Sequence, residues 1–241
     1  MINFLLEKID SVDSTNDYLT REVESGKVNK DKILITKHQV NGHGSNGRTF
    51  ISDDKVGIYF TLLHFYDDDK ELKFITQKAA VAVYQFFKYT FDIELKIKWV
   101  NDLYYNDKKV CGILCRNLIK HKAVIVGIGI DLFENQNIND EIKDIAGYIF
   151  KNKKDLIFKL NDNVKLSKES CTYKNLYMDF KSIDIEGVVI DDAGLWEPDQ
   201  IVIDIVQNIY SLIKIEGLPE FYIEKNIIKD KKIYEDCNLE C

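Results

Sequence analysis

Apolar and polar residues change period several times along the chain, and each change marks an element. Residues 3–10 alternate weakly and predict a strand. Ser14-Thr15-Asn16-Asp17 follows, a run of short polar side chains suited to capping the free N–H groups of a helix start. An apolar run at 32–37 predicts a second strand and one at 57–63 a third, both rich in residues that suit a pleated sheet. Between them, 39–54 is polar and punctuated by glycine. Residues 71–91 place Leu72, Ile75, Ala79, Val83, Phe86 and Phe87 at helical spacing, the pattern of a long core helix.

Three further strands are predicted around 95–99, 109–116 and 123–132, with Asn106-Asp107 as turn chemistry between the first two. A helix is predicted at about 140–150. Residues 151–195 differ in kind: they are rich in lysine and asparagine, with one short apolar stretch at Val188-Val189-Ile190. After Pro198 a helix carries Ile201, Ile205, Ile209 and Leu212, followed by a short β-like end. Long helices against a mostly antiparallel sheet make the expected class α+β.

Composition narrows the partners. A formal charge of -7 argues against general binding to nucleic acid, whose phosphates select clustered Lys and Arg. No apolar run approaches the roughly 20 residues that span a bilayer, and acidic residues come too early for a secretory signal. Five cysteines at low density fit free thiols in the cytoplasm. Cys111 with Cys115, and Cys237 with Cys241, have no second ligand pair, so no zinc site is expected.

Four segments carry candidate chemistry. In Gln39-Val40-Asn41-Gly42-His43-Gly44-Ser45-Asn46-Gly47-Arg48 the glycines have dinucleotide-fingerprint spacing, but a strand follows where that fingerprint needs a helix. What remains is a glycine loop able to bring backbone N–H groups to an anion, or a mobile surface loop. Lys98-Trp99-Val100-Asn101-Asp102-Leu103 gathers a cation, an indole, an amide and a carboxylate. Lys108-Lys109-Val110-Cys111-Gly112-Ile113-Leu114 sends a lysine into an apolar strand, either toward a ligand or simply into solvent. Val126-Gly127-Ile128-Gly129-Ile130-Asp131 is a strand whose glycines permit close approach of a ligand or another backbone.

The order of these segments after Ser14-Thr15-Asn16 resembles the biotin protein ligase family over about residues 10–150. Lys98-Trp99-Val100-Asn101-Asp102-Leu103 with the Lys109 strand close behind is the most specific part. The resemblance implies a single catalytic domain over 1–241, like that of class II aminoacyl-tRNA synthetases, with an insertion at about 151–195. It also implies that biotin and ATP with Mg²⁺ yield biotinyl-5′-AMP, from which biotin passes to a lysine of biotin carboxyl carrier protein. Lys109 and Arg48 are then the catalytic candidates. Ser14, Thr15, Asn16, Gln39, Gly42, Lys109 and Gly112 would bind biotin. His43, Ser45, Arg48, Asn101, Asp102, Gly127, Gly129 and Asp131 would bind the nucleotide, with no side chain assigned to the metal. Neither the family's DNA-binding helices nor its C-terminal β-barrel is expected, and the protein would be a monomer or homodimer.

The sequence departs from the family pattern at several of these places. His43 and Ser45 stand where the loop usually carries arginine, Phe50 where it has Trp, Val100 where it has Pro, Arg116 where it has Glu, and Asp131 where Asn is common. Two alternatives therefore stay open: a weakened paralogue that binds biotin or its adenylate, and a ligase for lipoate or another acyl group.

Overall fold

The computed structural model describes residues 4–52, 56–135, 140, 142–156, 198–215 and 217. Seven strands form one sheet in the order β1-β2-β3-β7-β6-β5-β4. They are β1 Leu5–Val12, β2 Lys32–Gln39, β3 Gly57–Phe65, β4 Lys96–Lys98, β5 Asp102–Tyr105, β6 Lys108–Leu118 and β7 Ala123–Asp131. β1 and β2 run parallel, joined by helix α1 (Thr15–Glu24); every other pairing is antiparallel. Helix α2 is Ile75–Phe91 and helix α3 is Pro198–Ile213. The mixed, mostly antiparallel α+β class read from the sequence is the observed one.

The strand at β7 shows how the sheet divides its faces, because successive side chains point to opposite sides. Val124, Val126, Ile128 and Ile130 join the large core with α2 and α3. Ala123 and Ile125 face the other way, into a smaller core with Leu19 and Val23 of α1. Continuing that second row gives Gly127, Gly129 and Asp131. α2 is apolar almost all round because the sheet covers one side and α3 covers the other.

Ser14 caps α1, its hydroxyl accepting the Asp17 N–H at 3.4 Å. α2 begins four residues later than predicted. A short 3-10 turn at Asp69–Leu72 precedes it, held by a capping box between Asp68 and Glu71. Asn106 and Asp107 both have positive φ, 49° and 60°, as a two-residue hairpin turn between β5 and β6 requires.

Among the described residues of 140–150 the expected helix does not form. The N–H groups of Ile145 and Ala146 do bond the Ile142 carbonyl, but the chain then leaves the helical path. Its backbone pairs instead with β6: Lys109 N–H reaches Ile145 O at 2.7 Å, and Gly147 N–H reaches Lys109 O at 2.7 Å. Pairing with a strand satisfies the same backbone groups a helix would have satisfied internally. A side chain at 147 would stand 2.4 Å from Lys108 Cβ, so this close approach needs glycine. Most of the 151–195 segment and everything from 218 lie outside the described residues, with the apolar stretch at 188–190 and the β-like end.

Candidate active site

Beyond the end of α1 the exposed sheet face has a glycine floor. Gly112 of β6 pairs directly with Gly129 of β7. The Phe50 ring lies on both: a Cβ at Gly129 would stand 2.3 Å from Phe50 Cζ, and one at Gly112 would stand 3.2 Å from Cε2. Phe50 also meets Tyr59 edge-on, with ring centroids 6.0 Å apart. Together the two glycines form a flat slot in the sheet face, which the Phe50 ring fills.

A polar wall stands beside the slot at the α1 N-terminus. Gln39 Oε1 accepts from Thr15 twice, from the backbone N–H at 2.9 Å and the hydroxyl at 3.0 Å. The fully buried Thr61 hydroxyl reaches Thr15 Oγ1 at 2.8 Å and Asn16 Oδ1 at 2.7 Å. Asn16 Nδ2 donates to Leu114 O at 3.1 Å. These bonds fix Thr15, Asn16 and Gln39 before any ligand arrives. The Gln39 N–H, in turn, donates to Ser52 Oγ at 2.6 Å, tying β2 to the far end of the glycine loop.

The slot has a cation at its end. Lys109 Nζ would be 3.3 Å from a Cβ on Gly112, and it pairs with Asp102 Oδ1 at 2.7 Å. Asp102 is itself placed by the β5–β6 pairing opposite Gly112. Asn101 stitches the preceding turn to β6, with Nδ2 donating to Ile113 O at 2.8 Å and its carbonyl accepting Ile113 N–H at 2.9 Å. The Trp99–Val100 peptide beside it is cis.

A cavity of about 810 Å³ opens beside the end of β7, lined by Tyr59, Lys108, Asp131, Glu134, Gly147 and Tyr148 among others. Burial pushes the Asp131 carboxyl up to about 7, against the pull of the Lys109 charge. Among the described residues no hydrogen bond reaches this carboxyl.

The glycine loop folds over the α1 end of the slot. Phe50 N–H donates to Gly42 O at 2.8 Å and Gly44 N–H to Arg48 O at 2.7 Å, and Ser45–Gly47 form one 3-10 turn. A Cβ at Gly42 would stand 2.4 Å from Phe50 O, so that glycine is required by the loop's own backbone. Arg48 turns back on Ser45, its Nη2 donating to the hydroxyl at 2.8 Å. His43 Nε2 lies 2.9 Å from Asp17 Oδ2, and Arg116 holds the other oxygen of the same carboxylate at 2.8 Å.

A sequence profile of the Biotin/lipoate A/B protein ligase family matches residues 9–132, from within β1 to just past the end of β7, which hold the glycine slot, its polar wall, Lys109 and Asp131. The chain belongs to that family. Among biotin/lipoate ligase relatives, the bifunctional ligase/repressor BirA of Bacillus subtilis is 30% identical over 138 residues, 55% of this chain and 42% of the relative. BirA of Escherichia coli is 24% identical over 125 residues, 50% of this chain and 38% of the relative. This family member thus spans less than half the length of those curated relatives. The fold is that of the biotin protein ligase from Aquifex aeolicus in complex with biotin and ATP, with a TM-score of 0.62 at 23% identity over 92% of this chain and 78% of the other. A Leishmania major biotin protein ligase in complex with biotinyl-5-AMP gives 0.59 at 17% identity over 99% and 83%.

For a member of this family, the sequence-derived residues converge well but not completely. Thr15, Asn16 and Gln39 are bonded together at the α1 end, Gly112 and Gly129 lie under Phe50 with Lys109 and Asp102 paired beside Gly112, and Asp131 lines the cavity. Ser14 is buried as the α1 cap. Gly127 does not open onto the slot: a Cβ there would meet Asn16 Oδ1 at 2.2 Å, so it is a packing position. His43, Ser45 and Arg48 lie on the exposed loop, bonded to Asp17 or to one another. Thr61 was not anticipated, although a lone hydroxyl inside the apolar 57–63 strand was a visible signal. Among the described residues no group of three or more His, Cys, Asp or Glu side chains is placed to hold a metal, and Asp102 is committed to Lys109. These residues do not form a Mg²⁺ site of their own.

Proposed function

We propose that the protein is a cytoplasmic, ATP-dependent biotin protein ligase acting on biotin carboxyl carrier protein or the equivalent carboxylase subunit. A biotin carboxylate oxygen attacks the α-phosphorus of ATP, and the bond from that phosphorus to pyrophosphate breaks. The product is biotinyl-5′-AMP, a mixed anhydride. A carrier lysine amine then attacks the acyl carbon, AMP leaves with the bonding electron pair, and the amine loses a proton as the amide forms.

One observation carries this reading: the Lys109 ammonium stands beside Gly112 at the end of the glycine slot, near enough to Asp131 on the cavity wall to act on its charge. The first step brings two anions together and gathers more charge on the phosphoryl oxygens. A fixed cation held beside both anions lowers the barrier. Asp102 keeps the ammonium there, while Thr15 and Gln39 are held rigid to position the ring system. Phe50 lies on the glycine floor, so a ligand ring bound there would displace it and pack on the same flat surface.

The test is incubation with ATP and either biotin or lipoate, with acyl-AMP and acylated carrier identified by mass. Biotinyl-AMP and biotinylated carrier are expected, and Lys109→Ala should abolish both while leaving the fold intact. Lipoyl products alone would reverse the substrate assignment. A second reading, binding without efficient transfer, is favoured by the loop, where Ser45 and His43 supply no permanent cation. Biotinyl-AMP without acylated carrier would establish it.

A further inference from the structure

Thr61 is fully buried on β3 and takes no part in the proposed chemistry, yet it closes the polar network at the α1 end. It pairs with Gly127 of β7, the glycine that Asn16 covers. The next residue on that face of β7 is Gly129, the glycine under Phe50, so the network adjoins the slot.

The hydrogens in this network can be counted. Asn16 Nδ2 donates to Leu114 O, which leaves Asn16 Oδ1 facing Thr61. The Thr15 backbone N–H donates to Gln39 Oε1 and so fixes that oxygen toward Thr15. Both ends of the row are therefore acceptors, with the two threonine hydroxyls between them. The oxygen–oxygen contacts are Gln39–Thr15 at 3.0 Å, Thr15–Thr61 at 2.8 Å and Thr61–Asn16 at 2.7 Å. Each hydroxyl carries a single hydrogen, so two hydrogens serve these three contacts. In every arrangement one pair of oxygens meets lone pair to lone pair. Thr61 and Asn16 are buried, whereas Gln39 is half-buried, so a ligand donor reaches the row at its Gln39 end. With a donor there, Thr15 turns its hydrogen inward to Thr61, Thr61 gives its own to Asn16, and every contact is satisfied.

We propose that Thr61 is a positioning residue that sets the ligand specificity of this end. By drawing the Thr15 hydrogen inward, it leaves Thr15 and Gln39 as acceptors that call for an N–H. A cyclic urea such as that of biotin supplies one; the dithiolane ring of lipoate has none. The inference deepens the proposed function and rests on it.

Dissociation constants of biotin and lipoate for the full chain test this, with thermal unfolding of each variant to establish that it folds. In Thr61→Val the Thr15 hydrogen has Gln39 alone to bond, and a ligand N–H must compete with it. Biotin affinity should fall roughly tenfold, the scale of one hydrogen bond, with lipoate affinity unchanged. Lost packing would weaken both ligands alike. Thr61→Ser, which keeps the hydroxyl, should restore the biotin/lipoate ratio. The loss should appear in KM for biotin and not in kcat for biotinyl-AMP formation. In a Thr15→Val background, Thr61→Val should leave the ratio unmoved, because the effect passes through Thr15. A second measurement needs no variant. The cyclic carbonate analogue of biotin, with ring oxygens in place of both N–H groups, should bind the wild type at least about tenfold more weakly than biotin. Equal binding of analogue and biotin, or an unmoved biotin/lipoate ratio in folded Thr61→Val, overturns the assignment and leaves the ligase reading standing. If the wild-type chain does not bind biotin, that reading falls and the assignment with it.

Discussion

Adding one methyl group at Gly129 tests the glycine floor directly. In the Gly129→Ala variant the new Cβ would lie 2.3 Å from Phe50 Cζ and 2.6 Å from Cε1. Carbon atoms pack comfortably at about 3.5–4.0 Å, so the ring must lift by roughly 1 Å or more. Phe50 is half-buried and sits at the end of the loop, which makes the ring the movable partner. Overpacking in a rigid core costs about 1–3 kcal/mol, and a movable ring places this case toward the lower end. Binding should suffer more than folding, because the same methyl raises the floor under the ligand. A misplacement of about 1 Å near reacting atoms can reduce rate on the order of a hundredfold. Thermal unfolding, biotin titration and kcat/KM for biotinyl-AMP formation measure the three effects separately. Gly112→Ala should be milder, since its nearest contacts are 3.2 Å to Phe50 and 3.3 Å to Lys109 Nζ. Combining Gly129→Ala with Phe50→Ala should recover stability but not biotin affinity, a non-additivity expected only for touching groups. Wild-type biotin affinity and rate in Gly129→Ala would refute the slot.

Three further outcomes are expected. Limited proteolysis within 39–54 should slow when biotin and ATP are added, because the exposed loop gains an apolar ligand to pack on; equal cleavage would count against closure. Ser45→Arg should slow biotinyl-AMP dissociation roughly ten- to a hundredfold at pH 8, the scale of one charge-assisted contact, and an unchanged rate would mean that the pocket already compensates. His64 is buried; desolvation alone would lower its pKa, but Asp31 at 2.7 Å and Glu71 at 3.1 Å outweigh it and raise the value. Its stabilising share is therefore complete below the unfolded pKa of about 6.5 and lost as pH rises through the folded value. Urea unfolding from pH 5.5 to 9 should show that decline in wild type and lose it in His64→Gln.

What the sequence disclosed depended on how far apart the cooperating residues lie. The apolar runs of β2, β3 and β7 and the stripe of α2 are local patterns, and the fold class followed from them. β5 is only four residues long, and nothing in Asp102–Tyr105 alternates long enough to announce a strand. The 140–150 error has a clear origin. Ile142, Ile145 and Ile149 have helical spacing, but the segment's partner is the backbone of β6, 30 or more residues earlier. The candidate site was legible where chemistry and spacing coincide, as at Lys109 and Gly112. It was not legible where a contact joins distant segments: Phe50 against Gly129, or Asp17 between His43 and Arg116.

That last contact bears on how the site manages charge. Substituting His43 and Ser45 for permanent cations leaves the described loop with Arg48, and Arg48 is turned onto Ser45 rather than outward. Arg116 brings a new guanidinium near the α1 end, but Asp17 takes it up and holds His43 beside it. Its charge serves to dock the loop on α1, not to meet phosphate. Lys109, at the end of the slot, is likewise paired, with Asp102. On the proposed activity an arriving carboxylate would compete with Asp102 for the same ammonium, and the exchange would replace one ion contact by another with little net gain in ground-state binding. The gain comes later, as charge grows on the phosphoryl oxygens and exceeds what Asp102 offers. Interactions that strengthen only at that stage accelerate the reaction instead of merely tightening the complex. On the proposed activity, a sparsely charged site of this kind would favour turnover through Lys109 over retention by the loop.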